Sequence, residues 1–236
     1  MPRRIAALAL FLVFAYPATA GAHSIVRHGA PSHRITRSTS TNWAGYSATG
    51  GTFTSVSATW KQPAASCTSA TAYSSFWVGL DGDGTNTVEQ IGTDADCSGG
   101  KPVYYAWYEM YPKFPVNLSL TIKPGDTVSA SVTTGGRGSF TLTIRDTTTG
   151  GSFTTTQKLK NAKLGSAEVI AEAPSSGGVL PLANFGTVGF SAATVNGKSI
   201  GSFNPDRIDM VSGTTTKATT SALSAGTAFS VKWNHA

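Results

Sequence analysis

Hydrophobic and polar residues alternate over short stretches through most of the chain after residue 41. In residues 118–122, 128–132 and 140–144 every second residue is apolar and the residues between them are polar. That period of two is typical of a β-strand with one buried face. The turn at Thr149-Gly150-Gly151, followed by another alternating stretch at 152–159, predicts a hairpin. No helical periodicity of usable length interrupts the pattern.

Strands that face both a core and solvent pack as layers of antiparallel sheet. We therefore expect an all-β fold, a β-sandwich of two packed antiparallel sheets of the concanavalin or lectin type. No Pro/Ser-rich linker divides residues 41–236. The sequence therefore predicts one domain over this range.

The first 40 residues have a different character. Arg3-Arg4 precede an apolar stretch at 5–16, and small residues at 18–22 fit a cleavage site, so residues 1–22 are predicted to be a signal peptide and the protein to be secreted. A membrane anchor is the alternative, but the apolar stretch is short and lacks a stop-transfer flank. Residues 23–40 are basic and are either a disordered linker or a short propeptide whose cations pair with an acidic cleft.

The charge balance argues against nucleic acid as a partner. The chain has 18 basic and 12 acidic residues, but residues 1–40 hold five arginines and no acid. The remainder therefore has a net charge near +1, which gives no electrostatic reason to bind a polyanion. No later apolar run reaches the roughly 20 residues of a membrane span. We expect a monomer that binds neither nucleic acid nor membrane after signal cleavage.

The two cysteines and the histidines limit the chemistry. In an oxidising compartment Cys67 and Cys97 most simply form a disulfide, which would be worth on the order of 3–4 kcal/mol. A nucleophilic thiol would need a histidine. After the first 40 residues, which we call the leader, the only histidine is His235, next to the C-terminus. The same shortage disfavours a Ser-His-Asp site and a zinc site. We expect no metal or cofactor, so carboxylates and amides would have to carry any catalysis.

One alternative for the acidic residues is a calcium loop at Asp81-Gly82-Asp83-Gly84. The EF-hand register fails there, because its sixth and twelfth positions would be Asn86 and Gly92. A second observation concerns Glu168, Ile170 and Glu172, which share one face of a predicted strand. Two carboxylates beside an apolar residue suggest the wall of a cleft.

Six segments in order resemble one protein family. They are NWAG at 42–45, WVGLDGD at 77–83, EQIG at 89–92, AWYEMYP at 106–112, AEVIAE at 167–172 and NFGTV at 184–188. Together they are similar to the glutamic peptidases, or eqolisins, which are secreted acid endopeptidases folded as a sandwich of two antiparallel sheets. The resemblance covers about residues 41–233 and also implies a disulfide between the two cysteines.

The resemblance implies a catalytic dyad of Gln90 and Glu172, which acts on protein or peptide substrates without a cofactor. The family's first glutamate falls on Glu168. Supporting roles in substrate binding or in orienting the dyad are expected for Trp43, Asp81, Trp107, Glu109 and Glu168. Two positions depart from the family pattern, since Val169 and Met110 replace tryptophans.

Peptide hydrolysis needs an activated water, a donor to the oxyanion and a proton for the leaving amine. A glutamate ordinarily has a pKa near 4.3, so it can act as a base in mild acid and then as an acid. A glutamine amide can orient the water and donate to the oxyanion. The alternatives are a glycoside hydrolase or carbohydrate-binding sandwich, in which Glu109 and Glu172 would lie about 5–5.5 Å apart for a retaining mechanism, and a structural or adhesive sandwich.

Overall fold

A computed structural model of the chain describes His28 and residues 39–236. The predicted signal peptide (1–22) and the predicted linker or propeptide (23–40), apart from His28, Thr39 and Ser40, lie outside the described residues. The strands are β1 (Thr39–Ser40), β2 (Trp43–Thr49), β3 (Ser55–Lys61), β4 (Ser75–Leu80), β5 (Val88–Ser98), β6 (Lys101–Tyr111), β7 (Val116–Asn117), β8 (Thr127–Thr134), β9 (Ser139–Asp146), β10 (Ser152–Lys158), β11 (Ser166–Glu172), β12 (Thr187–Val195), β13 (Lys198–Ser199), β14 (Asp206–Ser212), β15 (Thr215–Thr220) and β16 (Phe229–Trp233), with a short 3₁₀ helix at Ile200–Phe203.

The strands pair almost entirely in antiparallel fashion and form two halves. One half runs in the order β10-β9-β8-β3-β12-β16-β15, and the other runs β2-β11-β4-β5-β6-β7. The two halves are not separate sheets, because β14 pairs with β15 on one side and with β2 on the other. The all-β sandwich class is confirmed, and the two layers form a single path of strands that turns at β14.

The core lies between the two halves. Strands β3, β8 and β9 bury every second residue, as the alternating sequence pattern predicts. Trp60 of β3 reaches across the core and donates a hydrogen bond to Thr93 of β5 at 3.0 Å. A ring contact of 5.3 Å between Phe76 and Phe185 adds to the same apolar layer. Burial of these large rings accounts for much of the stability of the sandwich.

One predicted strand is wrong. Residues 118–122 alternate in sequence, yet they form no strand, and the short pairing with β6 ends at Asn117. Leu118 and Leu120 pack against the core and Ile122 is buried within it. The alternation reflects packing of an extended loop, since burial of every second side chain needs an extended backbone but no ladder of hydrogen bonds. The predicted hairpin over β9 and β10 is confirmed.

The predicted disulfide between Cys67 and Cys97 is present, with the two Cα atoms 5.4 Å apart. It ties the loop after β3 to the end of β5. Among the described residues, no helix has both the length and the apolar character needed to cross a bilayer.

Candidate active site

Five neighbouring strands of the second half present a polar and aromatic face on the side away from the core. Because the strands are in register, their side chains form three rows across β2, β11, β4, β5 and β6. The rows are Trp43-Glu172-Ser75-Asp94-Tyr105, Gly45-Ile170-Trp77-Gly92-Trp107, and Ser47-Glu168-Gly79-Gln90-Glu109. All of the predicted site residues except Asp81 lie on this face. We call it the catalytic face below, after the catalytic dyad that is predicted to lie on it.

Glu172 lies at the end of β11, and two N–H donors fix its carboxylate. Asn42 Nδ2 donates to Oε1 at 3.2 Å, and Trp77 Nε1 donates to Oε2 at 2.8 Å. Trp43 packs edge-on against Trp77, with ring centroids 5.0 Å apart, and so holds the indole in place. The carboxylate therefore has a defined orientation on the face.

Gln90 lies on β5 in the row of Glu168. Its Nε2 donates to Glu109 Oε2 at 3.4 Å. Its carbonyl oxygen Oε1 is buried and has no hydrogen-bond partner among the described residues. A buried amide oxygen of this kind can accept a hydrogen bond from a water or a substrate.

Gln90 and Glu172, the two residues of the predicted dyad, share the face but are not adjacent. Gln90 and Glu172 are two strands and four residues apart, with Trp77 between them. Ideal spacings place their Cα atoms roughly 16 Å apart in a flat sheet, and twist changes this distance.

Glycine keeps the centre of the face open. A Cβ on Gly79 would lie 2.9 Å from the Trp77 ring and 3.2 Å from Gln90 Cβ. The absence of a side chain at Gly79 leaves room for the Trp77 ring beside Gln90. The sequence pattern WVG thus has a direct steric reason.

Glu168 differs from Glu172 although both lie on β11. It is fully buried, and this burial, with the nearby charges of Asp83 and Asp81, raises its pKa well above the ordinary value. A carboxyl of this kind keeps its proton at a pH where most carboxyls are ionised. Glu168 is therefore a poor candidate for a base in mild acid, whereas Glu172 is held by N–H donors.

Asp81 supports the face from outside it. Its carboxylate accepts hydrogen bonds from the backbone N–H groups of Lys163, Leu164 and Gly165 at 2.8, 2.9 and 2.8 Å. These contacts fix the loop that leads into β11 and hence the position of both glutamates. Asp83 accepts a hydrogen bond from Ser47 at 2.8 Å. Protein donors therefore satisfy this pair, and nothing in its contacts favours the calcium loop.

The two departures from the family pattern do not reach the site. Val169 and Met110 both belong to the buried core, on the opposite side of the sheet from the catalytic face. They replace larger side chains in the core and leave the rows of polar residues unchanged.

A network that sequence reasoning missed lies on β5 and β6, in the row of Glu172. Tyr105 Oη is 2.8 Å from both Asp94 Oδ2 and Asp96 Oδ2, and Trp107 Nε1 donates to Asp94 Oδ1 at 2.5 Å. A single hydroxyl proton cannot serve both carboxylates. Burial and the charge of Asp94 raise the pKa of Asp96 well above its ordinary value. The sequence did contain a signal for this network, because residues 90, 94 and 96 are separated by even numbers and therefore lie on one face of β5.

His28, from the leader, lies on the catalytic face. Its ring stacks on Trp107 at 3.7 Å with an interplanar angle of 8°. Its Nε2 lies 3.1 Å from Asp94 Oδ2, and its backbone N–H donates to Glu109 Oε2 at 2.9 Å. Gln90 and Glu172 are 0% and 1% exposed, so both side chains are buried.

Comparison with known proteins identifies related chains. The sequence profile of the Peptidase A4 family matches residues 41–233. Aspergillopepsin-2 of Aspergillus niger is 32% identical over 135 residues, which cover 54% of this chain and 48% of that protein. Scytalidopepsin B of Scytalidium lignicola is 40% identical over 111 residues, which cover 46% and 41% respectively. These matches span about half the length of the two relatives.

A solved structure shows the same fold over a larger part of the chain. It is scytalido-glutamic peptidase with a peptide-based transition state analogue, with a TM-score of 0.72 and 29% identity. The superposition covers 82% of this chain and 98% of that one.

Proposed function

Because this chain belongs to the Peptidase A4 family of glutamic peptidases, or eqolisins, we propose that it is a secreted acid endopeptidase. Its substrates would be proteins or peptides, and Gln90 and Glu172 would form its catalytic dyad. The related scytalido-glutamic peptidase binds a peptide-based transition state analogue, which supports a peptide as the substrate here.

In the proposed mechanism Glu172 is the general base. Asn42 and Trp77 orient its carboxylate, which takes a proton from a water that also donates to Gln90 Oε1. The water oxygen bonds to the peptide carbonyl carbon and the C=O bond becomes a C–O⁻ bond. Gln90 Nε2 donates to that oxyanion. Glu172 then gives its proton to the peptide nitrogen as the C–N bond breaks.

Glu109 positions the Gln90 amide in this scheme. Its Oε2 accepts from Gln90 Nε2, which fixes the amide nitrogen on one side and the carbonyl oxygen on the other. An amide held in this way presents an acceptor to the water without spending energy on reorientation during the reaction. Because only one member of the dyad titrates, no proton has to be shared between two acids.

The observation that carries the proposal is that one leader residue, His28, lies on the catalytic face with its backbone N–H on a carboxylate. The backbone N–H of His28 donates to the same Glu109 oxygen that holds Gln90. A main chain therefore fits within contact distance of the residue that positions the dyad. A groove that accepts a backbone N–H is what an endopeptidase needs.

The glycosidase alternative has less support. Glu109 and Glu172 lie three strands apart and four residues apart in register. Ideal spacings then place their Cα atoms about 20 Å apart, too far for carboxyl groups separated by about 5–5.5 Å. The glycosidase interpretation also leaves Gln90 without a role.

The test is digestion of a denatured protein near pH 3–4 by the secreted, processed wild type and by Glu172→Gln and Gln90→Ala, beside a panel of polysaccharides. We expect hydrolysis of protein alone, by the wild type alone, with all three proteins folded to the same extent by circular dichroism. Glu109→Asp, which keeps a carboxylate on the face, is the matched control and should retain part of the activity. Protein hydrolysis by either dyad variant at the wild-type rate, or cleavage of a polysaccharide, would overturn the proposal.

A further inference from the structure

Strand β10 is one end of the path of paired strands. Among the described strands it pairs with β9 alone. At the two ends of this pairing, the backbone N–H of Leu159 donates to Gly138 and that of Asp146 donates to Gly151, both at 2.9 Å. Because backbone groups alternate in direction along a strand, these two bonds turn the odd-numbered residues of β10 toward β9 and the even-numbered residues toward the free edge.

The free edge of β10 presents unpaired backbone groups. Ser152, Thr154 and Thr156 direct three N–H and three C=O groups away from β9, and all three residues are exposed. No second strand in the described part of the chain pairs with these groups. Lys158 differs, because its carbonyl accepts a hydrogen bond from Lys113 Nζ at 3.3 Å. The free edge therefore covers residues 152–156.

The opposite end of the path is protected against pairing, whereas the β10 edge is not. β7 has only two residues, and the exposed start of β6 contains Lys101 and Pro102. Short edge strands, lysine and proline are features by which β-proteins prevent their edges from pairing with another chain. Residues 152–156 contain no proline and no charged residue, and their register with β9 has no shift.

We propose that two copies of this chain form a symmetric dimer by antiparallel pairing of their β10 edges, with the two-fold axis at Thr154. In this register the two copies of Thr154 oppose each other, and Ser152 of each protomer opposes Thr156 of the other. Each opposed pair exchanges two N–H to C=O hydrogen bonds, so the three pairs use every group of the free edge. A two-fold axis closes the assembly at two chains. This dimer replaces the monomer that we expect from the sequence alone.

Exposed apolar side chains beside the edge would enlarge the interface. Phe114 and Val116 are 52% and 44% exposed. They follow Lys113, which contacts β10, and Val116 pairs with Tyr108, whose ring stacks on Phe153 of β10 at 6.0 Å. Antiparallel pairing keeps the corresponding faces of both sheets on the same side, so the apolar residues of both protomers would flank one junction. Large apolar side chains that are grouped and exposed mark protein–protein contacts.

The side chains of the paired edges are compatible in this register. Ser152, Thr154 and Thr156 would form cross-strand hydroxyl pairs, which stabilise antiparallel strands. Lys158 of each protomer would fall opposite Gly150 of the other, so the two lysines would not face each other. The register therefore places no like charges in opposition.

Sedimentation equilibrium of the secreted protein tests the dimer. At about 50 µM we expect a mass twice that of one chain, with dissociation on dilution. Thr154→Pro removes the N–H that points to the free edge and leaves the N–H groups that bond to β9, a position at which an edge strand tolerates proline. Both protomers lose their central donor, so the dissociation constant should rise by at least about tenfold. Thr154→Val keeps the donor and is the matched control, with an unchanged dissociation constant.

Cross-linking tests the register. Opposed residues that exchange hydrogen bonds have Cα atoms about 5.5 Å apart, a distance that a disulfide can span. Thr154→Cys should therefore form a covalent dimer under mild oxidation, as a non-reducing gel would show. Thr187→Cys, at an exposed position of β12, is the control and should stay uncross-linked. If Thr154→Pro fails to fold by circular dichroism, Phe114→Ser is measured instead and should also weaken the dimer.

A wild type that remains monomeric up to about 100 µM, or a dissociation constant unchanged by Thr154→Pro or its substitute, would overturn the dimer. A dimer in which Thr154→Cys does not cross-link would overturn the proposed pairing. Peptide hydrolysis is not a readout, because β10 and the catalytic face belong to different halves of the sandwich. Failure of the proposed peptidase mechanism would therefore be a separate result.

Discussion

Glu89 predicts an unusual dependence of stability on pH. It lies on β5 next to Gln90, but alternation points it to the other side of the sheet, where it is 0% exposed. Burial, reinforced by the charge of Asp81, raises its pKa to about 9, although a hydrogen bond involving Thr87 opposes the shift. The folded protein therefore holds a proton on Glu89 across the neutral range.

The direction in which the free energy of unfolding changes with pH follows from the number of protons that the folded and unfolded chains bind. An unfolded glutamate titrates near 4.3, so between about pH 4.3 and the folded-state pKa of about 9 the folded chain binds one more proton than the unfolded chain. The contribution of Glu89 is complete below pH 4.3 and is lost as the pH rises toward 9. The free energy of unfolding falls by about 1.4 kcal/mol per pH unit, or about 4 kcal/mol between pH 4.3 and 7.

Glu89→Gln removes the titrating group and so tests the predicted contribution of Glu89 to the pH dependence of stability. Urea unfolding is followed by tryptophan fluorescence at several pH values from 4 to 8. The wild-type free energy should fall steeply with pH, because Glu168 and Asp96 also have raised pKa values. The variant should show a slope flatter by about 1.4 kcal/mol per pH unit. Asp206→Asn, at an exposed position, is the control and should leave the slope unchanged. Parallel curves for wild type and Glu89→Gln would refute the reasoning.

Three further changes have specific outcomes. Trp77→Phe keeps an aromatic ring but removes the indole N–H that donates to Glu172. We expect kcat to fall by about tenfold or more with little change in KM. An unchanged kcat would argue against positioning of Glu172 by the indole. Gly79→Ala inserts a Cβ 2.9 Å from the Trp77 ring, so peptidase activity should fall more than stability, as activity assays and thermal melts can compare. Replacing both Cys67 and Cys97 by serine should lower the free energy of unfolding by on the order of 3–4 kcal/mol in denaturant titrations, and equal midpoints with and without the disulfide would contradict this.

The fold class was predictable because burial on one face imposes a period of two on the sequence. Strands β8, β9 and β10 follow from that pattern alone. Residues 118–122 show where it fails, because an extended loop that packs its leucines on the core has the same alternation as a strand. The continuous path through β14 depends on pairing between distant segments, which local patterns do not encode.

The candidate site was predictable only in part. The resemblance supplied Gln90 and Glu172, and strand alternation placed Glu168 and Glu172 on one face. Their different environments depend on long-range contacts, such as the indole of Trp77 on one carboxylate and burial of the other. The stack of His28 on Trp107 joins positions 79 residues apart, and nothing in the spacing of the leader histidines distinguishes His28 from its neighbours.

The central claim is that Gln90 and Glu172 act on the same water. A double-mutant cycle tests it most directly, with kcat/KM for a peptide substrate measured for the wild type, Gln90→Ala, Glu172→Gln and the double variant. If both groups act on one water, the double variant should be no slower than the slower single variant, because either change already abolishes the same step. Losses that multiply in the double variant, or a single variant with wild-type kcat/KM, would contradict a shared water.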